Sequence, residues 1–252
     1  MPPKGLAILI GAGPTSGAGI ARILAHPSHG NLAVALLART AEKLDSLAQN
    51  LRSTTPNPIE TFPTDTSPDK LSKAFADIRS HPSFQNLKLK VAIYHIKHAS
   101  KKPFLEETHE QFTTALNEYV GGAMLFSQEV VKRLFADHGD TSLADGGSKK
   151  GTLIITGTMG AMRTSAQFGS YGASRSGARS LAQALAKEYS PVGIHVVHTI
   201  INGAVKDEDG EAQRSGKAIG AEVLGREYLH LCEQEPSLWT HELDMRPAQE
   251  KF

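Results

Sequence analysis

Short apolar runs alternate along this chain with segments whose apolar residues recur every three or four positions. Leu6-Ala7-Ile8-Leu9-Ile10 is continuously apolar and ends in glycines, the pattern of a strand buried on both faces. Residues 31–38 repeat it through Leu32, Val34, Leu36 and Leu37. Residues 59–64, 91–96, 152–156 and 194–201 predict four further strands. Between the strands the period lengthens. Leu44, Leu47, Ala48 and Leu51 share one face of a helix over 41–51, which Thr40 begins. Ser67-Pro68 predicts an N-cap followed by proline at the first helical position. Thr108 with Gln111 is a capping-box signature for a long helix reaching Phe135. Ala178, Leu181, Ala182 and Leu185 predict a helix over 170–189. Such alternation implies right-handed crossovers and an α/β fold: a doubly wound parallel sheet in three layers, α/β/α.

Two polar stretches, 137–150 and 202–220, read as surface loops. No repeat or linker divides the chain, which predicts one domain over 1–252. Its 252 residues, 40% hydrophobic and 21% charged, suffice for a sizeable core. A formal net charge of +1 gives no reason to expect a nucleic-acid partner. The single cysteine, Cys232, excludes a disulfide framework and fits a reducing compartment. No Cys/His cluster has zinc-like spacing. The apolar run near the start is too short for a signal peptide or a membrane span. A cytoplasmic protein without metal or membrane partner is the expectation.

Directly after the first strand stands Gly11-Ala12-Gly13-Pro14-Thr15-Ser16-Gly17-Ala18-Gly19. Glycines permit a tight turn and let backbone N–H groups approach a pyrophosphate, which the following helix meets with its positive end. A glycine run alone also suits a plain turn; the strand–loop–helix setting favours dinucleotide binding. Gly13, Thr15, Ser16, Gly17 and Gly19 are therefore candidate cofactor contacts. The loop opens early, at Gly11, which predicts a longer turn than usual. Arg39 follows the second strand, about twenty residues past Gly19. An acidic residue at this offset binds the ribose 2′-hydroxyl of NAD; an arginine accommodates the 2′-phosphate of NADP.

Tyr171-Gly172-Ala173-Ser174-Arg175 opens the helix after the fifth strand, and Thr158 stands thirteen residues before Tyr171. Together with the glycine loop this resembles the short-chain dehydrogenase/reductase family, in which a Ser precedes Tyr-x-x-x-Lys by the same spacing. The resemblance runs from about residue 6 to 246, and Thr240 to Pro247 resembles the last strand of a divergent branch. It implies a Rossmann fold and an NADP(H)-dependent carbonyl or imine reductase, or the reverse dehydrogenase, acting on a small organic substrate. It assigns Asp65 to the adenine. Asn202-Gly203-Ala204-Val205 stands where the family has Pro-Gly-x-Val beside the nicotinamide, which implies cofactor contacts at Gly203 and Val205 and a substrate lid over 202–220. It also implies a homodimer or homotetramer. The pairing faces would be the long helix and the helix from Tyr171, the latter carrying small residues at Ala173, Gly177, Ser180 and Ala184.

The departures from the family pattern fall on the chemistry. Asn-Asn-Ala-Gly after the fourth strand reads Tyr94-His95-Ile96-Lys97, the active-site Asn falls on Tyr119, Ser becomes Thr158 and Lys becomes Arg175. Of the four catalytic positions only Tyr171 is unchanged. A free phenol holds its proton to pH near 10, so a cation beside it is needed. Arg175, one turn on, supplies that field and can bind ribose hydroxyls, but it does not release a proton as lysine does. Thr158 keeps a hydroxyl for the substrate oxygen. His95 and Lys97 lie at the carboxyl end of a central strand, where open α/β sheets place ligands; His95 is a candidate cofactor contact and acid or base. Plainer roles compete: a packed helix-start tyrosine, a strand-end threonine, a solvated arginine, a satisfied core histidine. A second reading stays open, a non-redox cyclase, isomerase or lyase, or a non-catalytic NADP(H)-binding protein.

Overall fold

A computed structural model describes residues 1–97, 100–208 and 210–250. Asp209, inside the expected lid, lies outside the described residues. Six units of strand and helix build most of the chain. Strand β1 (Leu6–Ile10) leads to α1 (Ser16–Ala25), β2 (Ala33–Ala38) to α2 (Ala41–Arg52), and β3 (Ile59–Pro63) to α3 (Pro68–Ser80). Then come β4 (Leu89–Tyr94), α4 (His109–Leu116), α5 (Gly122–His138), β5 (Gly151–Gly157), α6 (Gly169–Tyr189) and β6 (Ile194–Ile201). The 202–220 segment holds β7 (Val205–Lys206), α7 (Glu211–Arg214) and β8 (Ile219–Gly220), and α8 (Ala221–Glu233) and β9 (Glu242–Met245) follow.

Seven strands pair in parallel in the order β3-β2-β1-β4-β5-β6-β9. Side-chain alternation along β1 divides the core. Leu6, Ile8 and Ile10 face a layer with Ile78, Phe126 and Ala178 from α3, α5 and α6. Ala7 and Leu9 face Ile20, Leu44 and Tyr228 from α1, α2 and α8. The sheet is thus covered on both faces, which explains its unbroken apolar strands. Order reverses between β1 and β4, and ligands of such sheets bind outside the carboxyl ends at that point.

Details differ from the pattern-based reading. Ser67 has extended backbone and Pro68 starts α3, but the Ser67 hydroxyl does not cap the helix; it donates to Asp65 at 2.6 Å. The capping box of Thr108 and Gln111 is present. The long helix passes through one π turn, Asn117–Gly121, before running on to His138. Helix α8 was not expected from the sequence. It lies against α1 so closely that a Cβ on Gly19 would come within 2.3 Å of the Ala221 carbonyl carbon. Among the described residues no helix is long and apolar enough to cross a membrane, and no group of three or more His, Cys, Asp or Glu is placed to hold a metal ion.

Candidate active site

The carboxyl ends of β1, β4, β5 and β6 open into a cavity of about 680 Å³. Its floor is the glycine loop. Gly11 has φ +84°, and a Cβ there would fall 2.2 Å from the His95 carbonyl oxygen, so the loop is pressed onto the end of β4. Gly13, Pro14, Thr15 and Ser16 line the cavity. No side chain caps α1, which leaves its first N–H groups for an anion. Gly17 and Gly19 are not in this lining: Gly17 turns back on Ala12 and Gly19 faces α8. Both glycines thereby shape the loop and seat its helix.

A smaller cavity of about 270 Å³ continues past Gly13 and Pro14 to Arg39 and Asp65. Lys43, in the first turn of α2, also lines it. The sequence reading missed Lys43, although a cation in the first turn of the helix that follows Arg39 was visible. Asp65 accepts hydrogen bonds from Lys70 and from the Ser67 hydroxyl and N–H, which lower its carboxyl to about 2. It therefore holds the entry to α3 while bordering the cavity.

At the other end, β5 delivers Thr158 and the first turn of α6 delivers Tyr171, and their hydroxyls meet at 2.6 Å. Arg175 lies beneath, 2% exposed. Its guanidinium carbon sits 4.5 Å from the Tyr171 ring centroid and 3.4 Å from that of Tyr119. The two phenol faces hold the cation between them. All of these groups line the large cavity, with Gly203 and Val205 opposite.

A family model for short chain dehydrogenase matches residues 6–217. The chain belongs to the short-chain dehydrogenase family. A search among curated proteins finds no match. Solved structures share the fold. A short-chain dehydrogenase from Rhodopseudomonas palustris is 24% identical with a TM-score of 0.78, covering 98% of this chain and 100% of its own. An alcohol dehydrogenase from Thermococcus sibiricus, complexed with 5-hydroxy-NADP, is 16% identical with a TM-score of 0.78 and 98% coverage of both chains. The L-sorbose reductase of Gluconobacter frateurii, complexed with NADPH and L-sorbose, is 15% identical with a TM-score of 0.80, covering 98% of this chain and 96% of its own.

In this short-chain dehydrogenase Tyr119 does not offer its hydroxyl to the cleft. The π turn carries it inward, where its O–H donates to the Thr156 carbonyl at 2.5 Å. Burial pushes the phenol up to about 12, so it stays protonated. Tyr94 braces the turn, donating its hydroxyl to the Glu118 carbonyl at 2.7 Å. Tyr119 thus presents its ring face to Arg175 while its hydroxyl is engaged by the backbone.

His95 is likewise turned away from the Thr158–Tyr171 pair. Its Nε2 lies 2.7 Å from the Ser16 hydroxyl and its Nδ1 3.1 Å from that of Thr156. Thr156 in turn meets the Tyr228 hydroxyl at 2.8 Å, which meets Thr199 at 2.8 Å. Burial pushes His95 down to about 4, so near neutral pH the ring is uncharged. A neutral imidazole donates once and accepts once, which suits a link between two hydroxyls. His95 ties the glycine loop to β5 and lines the cavity. Lys97 and Lys206 line the same cavity. The 202–220 segment is fastened beside them: Asp207 accepts two hydrogen bonds at 3.1 Å from Arg22 of α1, which also pairs with Glu222 of α8 at 3.0 Å.

Proposed function

We propose that this protein is an NADP(H)-dependent oxidoreductase, a carbonyl or imine reductase or the reverse dehydrogenase, working in the cytoplasm on a small organic substrate. The observation that carries the reading is the Thr158–Tyr171 hydroxyl pair, set over a buried cation in the cavity that the phosphate loop lines. Ser16 and the N-terminus of α1 would hold the pyrophosphate, and Arg175, Gly203 and Val205 the nicotinamide half. Bound NADPH supplies the hydride. Thr158 donates a hydrogen bond to the substrate oxygen and orients it. Tyr171 gives that oxygen its proton in reduction and takes it back in oxidation. Arg175 stabilises the phenolate that remains, its own proton held throughout. The test is loss of the reduced-nicotinamide absorbance when purified protein and NADPH meet a panel of carbonyl compounds and imines.

Cofactor choice falls to Arg39, with Lys43 beside it. Fluorescence titration is expected to give tighter binding of NADPH than of NADH. Arg39→Asp should cut NADPH affinity by about 10- to 100-fold, the weight of a lost charge-assisted phosphate contact, and narrow or reverse the preference. NADH binding as tightly as NADPH in the unaltered protein would sink the assignment.

A homodimer or homotetramer is also proposed. On α6, Ala173, Ser180 and Ala184 are exposed and Gly177 is half-buried against Val120. The small-residue stripe thus faces outward, where a second helix can approach closely. Light scattering at micromolar concentration should return a multiple of the chain mass; a monomer mass removes the idea.

One observation favours the second reading, a non-redox enzyme. Tyr119 fills the position of the family's relay Asn, and Arg175 replaces its lysine, so the family's proton relay is not reproduced. Turnover without any nicotinamide would select that reading.

A further inference from the structure

A second cavity, about 460 Å³, adjoins the first and shares Thr158, Tyr171, Ile201 and Gly203 with it. It touches the proton-transfer pair but none of the phosphate loop, so it is the substrate side of the site. We infer that the substrate carries a carboxylate or phosphate that Arg163 binds, an inference that rests on the oxidoreductase reading.

Three observations support it. The first is charge. Arg163 and Glu250 line this cavity, and Glu250 already accepts a hydrogen bond from Asn202 at 3.2 Å. Arg163 is exposed at the wall and makes no ion pair among the described residues. Arg163 lies outside the lining of the cavity floored by the glycine loop. The second is position. The turn after Thr158 fixes the Arg163 backbone, whose N–H donates to the Met159 carbonyl at 3.0 Å. A guanidinium fork is thereby rooted five residues from the hydroxyl that orients the reacting oxygen. The third is the remaining wall, where Thr164 and Ser165 flank Arg163. Thr164 donates to the Gly160 carbonyl at 3.5 Å, and the exposed Ser165 hydroxyl offers an anion a further donor beside the guanidinium. An arginine fork matches carboxylate and phosphate geometry alike. The substrate class is therefore a small oxo acid or phosphorylated carbonyl compound, or the corresponding alcohol.

The experiment uses NADPH-saturated protein and matched probes: 2-oxobutanoate and acetoacetate against their methyl esters, and dihydroxyacetone phosphate against dihydroxyacetone. Nicotinamide absorbance reads turnover, and emission of the bound NADPH reads binding. At least one anionic probe should exceed its neutral counterpart by about 10- to 100-fold in kcat/KM or in affinity. The responding pair tells carboxylate from phosphate. Arg163→Met should remove that advantage through KM, with neutral probes and NADPH affinity unchanged, and Arg163→Lys should keep part of it. Equal handling of charged and neutral probes overturns the inference. So does an Arg163→Met effect of the same size on both, or NADPH-loaded protein indifferent to every anionic probe. Protein that does not bind NADPH at all overturns the oxidoreductase reading, and this inference with it.

Discussion

Tyr171→Phe is expected to lower turnover by about 10²–10⁴-fold, the usual contribution of a general acid or base. The change removes one oxygen and leaves the ring. The ring packs edge-on against Phe168, with centroids 5.6 Å apart, and covers Arg175 from the cleft side. Those contacts survive in phenylalanine, so NADPH binding and the melting temperature should be nearly unchanged. What goes is the hydroxyl that Thr158 meets at 2.6 Å. Single-turnover rates with saturating NADPH separate this loss from any effect on binding. If native turnover proceeds without a nicotinamide and tolerates Tyr171→Phe, the reductase reading fails and the cyclase or isomerase class takes its place.

Arg175→Met is the second large effect. Methionine fills the slot between the phenol rings but carries no charge. Turnover should fall by about 10²-fold, the scale for losing one preorganised electrostatic group. The protein should also lose about 2 kcal/mol of stability, because a desolvated cation leaves the Tyr119 face. Denaturant unfolding measures the second effect and steady-state kinetics the first. Arg175→Lys distinguishes the reactions. Lysine keeps the charge and gives up the flat stack on Tyr119. Hydride transfer should keep most of its rate, since a cation still faces Tyr171. A non-redox reaction that recruited the guanidinium should slow as much as in the methionine variant. Full turnover in Arg175→Met would remove Arg175 from the mechanism.

The alternation of apolar strands and amphipathic helices was legible because it is a local pattern. Residues 194–201 match β6 end for end. The fourth strand was placed two residues late, since His95 and Ile96 continue the sequence pattern although the ladder stops at Tyr94. Helix α8 went unread: Leu224, Tyr228 and Leu231 have helical spacing, but the segment follows a polar lid and contains Gly225. The spacing of Thr158, Tyr171 and Arg175 placed those three side chains together. Tyr119 was located but its direction was not, because a π turn shifts the facing of the residues it contains. His95 was placed at the cleft, yet its partners Ser16 and Thr156 come from the start of α1 and the end of β5, which only the tertiary fold brings near. Asp65 and Ser67 were read separately, whereas they act on each other.

The contact between Gly19 and Ala221 also bears on the order in which the protein matures. Chains emerge from the ribosome amino end first, and domains fold as they emerge. Helix α1 is made well before its cover, α8. Until α8 emerges, the apolar residues of α1 that face it stay uncovered, and Arg22 has neither Asp207 nor Glu222 to pair with. The glycine loop and the helix it leads into are thus made before the helix that supports them.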